Sequence, residues 1–154
     1  MIKIFRPVIL FLTIMLLSHC GYTPLLSSVD ENFYIENLNF SGNKQVNNSI
    51  NRSLEKHKEY KENLTKYNLD ISSRFDKNIV TKDRSGNAKN YEIILTVDIS
   101  YQKDDASELN KIFRRNASLA SQSQKSKEID LEKKIRNNLS QLISRDIIFF
   151  LTNQ

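Results

Sequence analysis

Tyr91-Glu92-Ile93-Ile94-Leu95-Thr96-Val97-Asp98-Ile99-Ser100-Tyr101 decides the fold. Every odd position is apolar or aromatic and, Ile94 apart, every even one is polar, which is the period of a strand with one buried face. Upstream, Tyr67, Leu69, Ile71, Ser73 and Phe75 alternate with polar neighbours in the same way. Asp83 to Asn87 supplies turn residues between the two runs. This predicts a β-hairpin whose other face, bearing Glu92, Ile94, Thr96, Asp98 and Ser100, is wet or meets a polar partner. Downstream, Glu108 to Ser121 places Phe113, Ala117 and Leu119 on the inner parity and Arg114, Asn116 and Ser118 outward, a third antiparallel strand.

The flanks change period. Phe33 and Ile35 share one parity and Leu38 and Phe40 the other, which predicts over 33–40 a strand that is either bulged or shortened. Ser41-Gly42-Asn43 is turn chemistry, and Ser41 or Asn43 suits the cap of a following helix. Val46, Ile50, Leu54, His57 and Leu64 recur at helical spacing among Lys, Glu and Asn, the pattern of an amphipathic helix. From Gln124 onward Ile129, Ile135, Leu139, Leu142, Ile143 and Ile147 form one wide apolar face that Phe149, Phe150 and Leu151 complete. Each member, fully buried, contributes about 1.5–3 kcal/mol. The expected fold is α+β: a two-layer sandwich in which two helices cover one face of a four-stranded sheet, in the order strand, helix, strand, strand, strand, helix. Leu95 and Val97 should pack against Leu139, Ile143 and Ile147.

The N-terminus carries a different signal. Lys3 and Arg6 precede the run Val8 to Leu17, interrupted only by Thr13, a length that suits the apolar region of a signal peptide and is short for a bilayer span. Leu17-Ser18-His19-Cys20 follows, similar to a bacterial lipobox, whose cysteine is acylated and becomes the first residue of the mature chain. Lipoboxes usually have Gly, Ala or Ser before the cysteine, and His19 stands there instead. The expected organisation is a signal peptide over 1–19, a lipidated N-terminus and tether over 20–32, and one domain over 33–154.

Composition narrows the function. Cys20 is the one cysteine, so disulfides within the chain and thiolate metal sites are excluded. The chain has 23 basic and 18 acidic residues, and without Lys3 and Arg6 the basic count becomes 21, a mild excess with no nucleic-acid stripe. The three glycines, Gly21, Gly42 and Gly86, lie too far apart for a phosphate loop. His57 is the one histidine after the signal region, and it falls on the apolar stripe of the first helix. Glu55, Glu59 and Glu62 alternate with Lys56, Lys58 and Lys61 as solvated ion pairs. Asp104-Asp105 belongs to a turn. No catalytic constellation, metal site or cofactor is expected. Lys77, Lys82 and Arg84 near one end of the hairpin, with Lys111, Arg114 and Arg115 on the third strand, would form a cationic rim for phosphates if they reached the same end of the sheet. Otherwise they are ordinary solvated charge.

Cys20-Gly21-Tyr22-Thr23-Pro24-Leu25, the order of elements, and the ending Ile143-Ser144-Arg145-Asp146-Ile147-Ile148-Phe149-Phe150-Leu151 together resemble the LptE family of lipopolysaccharide-assembly lipoproteins. The resemblance implies an outer-membrane lipoprotein, facing the periplasm and held by acyl chains such as palmitate on Cys20. It further implies a domain that plugs the lumen of an LptD-like β-barrel, helps that barrel assemble, and contacts lipopolysaccharide, with Lys82, Arg84, Arg114 and Arg115 as candidate phosphate contacts. Gly21 after the cysteine agrees with outer-membrane sorting. A periplasm-facing lipoprotein that binds another ligand or inhibits an enzyme, with no barrel partner, is the alternative.

Overall fold

The computed structural model describes residues 32–60 and 62–154. The signal segment, Cys20 and the tether up to residue 31 lie outside the described residues. The elements are β1 (Phe33–Gly42), α1 (Lys44–Leu54) with a 3-10 turn (Glu55–His57), β2 (Thr65–Lys82), β3 (Ala88–Lys103), β4 (Leu109–Ala120) and α2 (Lys125–Thr152). They form a four-stranded sheet in the order β1-β2-β3-β4, the α+β arrangement expected. The β2–β3 and β3–β4 pairs are antiparallel, whereas β1 runs parallel to β2. A parallel neighbour needs a crossover that returns the chain to its starting end, and α1 is that crossover.

The parity change in β1 is a bulge: the register with β2 shifts between Ile35 and Asn37, so Phe33, Ile35, Leu38 and Phe40 all meet the inner face. Gly42 closes the strand with φ +87°, and a Cβ there would run into the Ser73 carbonyl oxygen. Asn43 then caps α1, its Oδ1 accepting from the amides of Gln45 and Val46, each at 3.1 Å. The helix stops sooner than its stripe suggests. Tyr60 apart, no apolar residue lies between His57 and Leu64, and Asn63 takes a left-handed φ of 65° to turn the chain into β2. Leu64 therefore lies outside α1. In the other direction β2 runs past Phe75 to Lys82, carried by cross-strand pairing with β3.

The core lies between the sheet and the helices. Leu95 and Val97 share it with Leu139, Ile143 and Ile147, joined by Val46, Ile50 and Leu54 from α1. Ser140 and Ser144 on α2 are also buried, and their hydroxyls donate to the carbonyls of Arg136 and Ser140, four residues back. Small satisfied side chains there allow close packing. Two members of the expected apolar stripe of α2 stay outside: Ile129 is 54% exposed and Phe149 64%. The first turn buries Glu128 instead of Ile129, because Lys77 reaches it from β2. On the opposite sheet face Ile94 and Thr96 are buried as well. Their cross-strand neighbours Asp76, Asn116, Arg74 and Arg114 flank them on both sides.

Candidate functional site

The cationic side chains separate according to strand parity and register. Lys82 pairs with Ala88 beside the hairpin tip, and Arg84 lies within the turn. That turn is organised by Asp83, whose Oδ1 accepts from the amides of Ser85 at 2.8 Å and Asn87 at 2.9 Å. The amide of Asn87, helped by its side chain and the other turn amides, holds the Asp83 carboxyl below the usual range. Arg114 lies opposite Thr96. Eight residues of β3 separate Thr96 from Ala88, roughly 25 Å at about 3.3 Å per residue. Arg114 and Arg115, adjacent in a strand, point to opposite faces. Arg114 joins Arg74 and Thr96 on the open face, and Arg115 turns to the helix-covered side. The four residues Lys82, Arg84, Arg114 and Arg115 thus form no common rim, because a strand alternates its faces and the hairpin tip stands well beyond Arg114.

Arg115 and Lys77 have partners in α2. The Arg115 Nε and Nη2 atoms donate to the two carboxylate oxygens of Asp146, each at 2.9 Å, a bidentate clamp between β4 and α2. At this edge a cavity of 420 Å³ is lined by Arg114 and Arg115 together with Asp146, Phe113, Phe149 and Phe150, so these two arginines meet there, away from Lys82 and Arg84. Lys77 donates to Glu128 at 2.8 Å and Glu132 at 3.0 Å and lies 4.2 Å from the Tyr91 ring centroid. Lys125 donates to Glu128 at 2.7 Å from the same helix. Hydrogen bonds from Lys125 and then Lys77 hold the Glu128 carboxyl down at about 2, against the burial that would raise it. Burial alone would lower the Lys77 ammonium, and the two glutamates outweigh it and leave its pKa raised.

The open face of the sheet is polar and shallow. A concavity of 390 Å³ is lined by Asn39, Asp70, Ser72, Asp98, Ser100 and Asn110 among others. Asn39 donates to Asp70 at 2.8 Å and Asn37 to Asn68 at 2.8 Å, so the amide side chains form ladders across β1 and β2. Ser100 donates to Glu108. His57 is buried and stacks on Phe33 with ring centroids 4.7 Å apart, a packing role. Among the described residues no group of three or more His, Cys, Asp or Glu is placed to hold a metal ion. No helix among them is long and apolar enough to cross a membrane.

One convergence was not legible in the chain. Arg52 of α1 meets Lys133 and Arg136 of α2 around a single groove. Arg52 is far in sequence from Lys133 and Arg136, and their meeting depends on how two helices lie side by side. The available signal was weak: Arg52 and Arg136 each stand on the border of an apolar stripe, where a long side chain can reach a neighbouring helix.

No family model and no curated protein matches the chain. Solved structures do. Rare lipoprotein B from Shewanella oneidensis superposes with a TM-score of 0.54 at 15% identity, over 76% of this chain and 97% of that one. An uncharacterized lipoprotein B from Nitrosomonas europaea gives 0.53 at 15% identity, over 78% of this chain and 85% of that one. At this identity the likeness establishes the shared fold, a mixed four-stranded sheet with two helices.

Proposed function

We propose that this chain is an LptE-like lipoprotein, attached to the outer membrane by acyl chains on Cys20 and facing the periplasm. Its domain would occupy the lumen of an LptD-like β-barrel, assist that barrel's assembly and serve the delivery of lipopolysaccharide. The observation that carries this reading is the open sheet face, a four-strand surface mostly of Asn, Ser, Asp, Thr and Arg side chains, with Ile94 and Ile112 among them, opposite a closed apolar core. Such a face suits a wet barrel wall, where hydrogen bonds and water replace apolar contact. The lipobox-like sequence and the fold shared with two solved lipoproteins support the same reading. Acyl chains contribute about 0.8 kcal/mol per buried CH2, so several on Cys20 anchor the domain without a spanning helix.

The role is non-catalytic and involves no nucleic acid. Lys82 and Arg84 at the hairpin tip and Arg114 on the open face are the candidate lipopolysaccharide contacts, while Arg115 is engaged with Asp146. Extraction of the native chain in mild detergent tests the assignment. A barrel protein recovered in near-stoichiometric amount supports the plug. Recovery of the chain without a barrel favours the alternative of a periplasm-facing lipoprotein with another ligand or an enzyme target.

A further inference from the structure

We propose that the groove between α1 and α2 is a binding site for a phosphate group. Gln45, Asn48 and Arg52 line it from α1, and Lys133, Arg136 and Asn137 from α2, around a volume of 310 Å³. The first trio has spacing i, i+3, i+7 and the second i, i+3, i+4, so each forms one stripe on its helix. No acidic side chain is among them.

Arg136 is the floor of the site. Its side chain is 14% exposed, its guanidinium carbon lies 4.9 Å from the Phe75 ring centroid, and its Nε is buried without a hydrogen-bond partner. Its ion pair with Glu132 is long, 3.7 Å, and Glu132 also accepts from Lys77 at 3.0 Å. A largely buried guanidinium that shares a distant carboxylate with a nearer lysine is under-compensated. Arg52 and Lys133 stand above it at the exposed rim, the former steered by a hydrogen bond from Nε to the Asn48 carbonyl at 3.2 Å. Three cations around one opening repel each other, and a bound anion removes that cost.

Phosphate is the anion this donor set favours. A phosphate monoester or pyrophosphate has enough acceptor oxygens for two guanidinium forks and an ammonium, and the side-chain amides of Gln45, Asn48 and Asn137 add neutral donors. A carboxylate has two oxygens and leaves most of these donors unused. The inference stands apart from the barrel reading, since the groove lies on the helical layer and away from the open sheet face.

The phosphate can belong to a lipid headgroup or to a free phosphorylated molecule, and two probes separate these sources. The full-length chain in non-ionic detergent is titrated calorimetrically with pyrophosphate. It is also co-sedimented with phosphatidylcholine vesicles with and without phosphatidic acid, the difference being the part due to the anionic phosphate monoester. In Arg52→Gln/Lys133→Gln, both exposed positions, binding should weaken by about tenfold or more with an unchanged thermal midpoint, the loss expected for charged hydrogen bonds. Arg136→Gln should lose binding as well, and Lys89→Gln/Lys127→Gln, two exposed lysines outside the groove, should keep it. Groove-dependent binding of pyrophosphate supports the site with a free phosphate, and groove-dependent sedimentation alone supports it with a headgroup. Binding of neither probe by the parent chain, or equal loss in Lys89→Gln/Lys127→Gln, overturns the proposal.

Discussion

A carboxylate as enclosed as Glu128, whose side chain is 2% exposed, is tolerated because Lys77 and Lys125 surround it and the Gln122 amide donates to it at 3.4 Å. Its pKa is depressed from 4.5 to about 2, so its contribution is fully present above pH 4.5 and is lost as pH falls from there toward 2. Unfolding midpoints in denaturant, measured between pH 6 and 2, should fall across that window. Glu128→Gln should be less stable at neutral pH by about 1–3 kcal/mol, the cost of leaving buried polar partners poorly matched. It should also show a shallower acid slope, and an unaltered slope would mean that other carboxylates set the acid response. Gly42 is decided by backbone geometry. Gly42→Ala must place a side chain at φ +87° against the Ser73 carbonyl, and a loss of about 1–3 kcal/mol is expected from strain of this kind. Gly86 has a similar φ of +85° with open space around it, so Gly86→Ala should cost less than Gly42→Ala in the same thermal melt.

At the scale of elements, α2 is attached to the sheet at three places along its length. Glu128 ties its first turn to β2, Leu139, Ile143 and Ile147 fill its middle, and Asp146 holds Arg115 of β4. The middle carries most of the energy, since ion pairs at exposed sites contribute about 0–1 kcal/mol whereas truncating a buried leucine costs about 2–5 kcal/mol. Leu95→Ala and Leu139→Ala should each destabilise the domain by about 2–5 kcal/mol, read from denaturant midpoints at constant slope. Arg115→Ala, by contrast, should cost about 1 kcal/mol or less, because its side chain is 49% exposed. If Arg115→Ala proved as damaging as Leu139→Ala, the clamp rather than the core would hold α2. The ends of the elements follow local chemistry where such chemistry exists, as with the Asn43 cap and the Asp83 turn, both foreseeable from residue type. The end of α1 and the extension of β2 to Lys82 were less legible. A helix stops where its apolar stripe runs out, and a strand continues for as long as its neighbour offers hydrogen bonds.

For the whole molecule, the proposed function makes membrane attachment a property of one atom, the Cys20 sulfur. Cys20→Ser should leave the thermal midpoint of the domain unchanged and move the processed chain from the membrane to the soluble fraction. Retention in the membrane after removal of the signal region would count against acylation. His19→Gly should accelerate processing in a pulse-chase measurement, and an unchanged rate would show that the residue before the cysteine is immaterial here. The sequence by itself determined the layers of the domain. Alternation in Tyr91–Tyr101 and Tyr67–Phe75 chose the buried sheet face, the stripe of α2 chose its cover, and the parity break at Glu36 announced a bulge or a shortened strand. These are local signals, written within a few residues by the periods of helix and strand. Only the tertiary structure decided that β1 lies parallel to β2, that Glu128 is buried while Ile129 is not, and that Arg115 clamps Asp146 of α2. It also dispersed the cations expected at one rim and gathered Arg52, Lys133 and Arg136 around another opening. Periodicity assigns a side chain to a face, but which faces meet depends on strand register and on the seating of one helix beside another, and those are settled by packing the entire core at once.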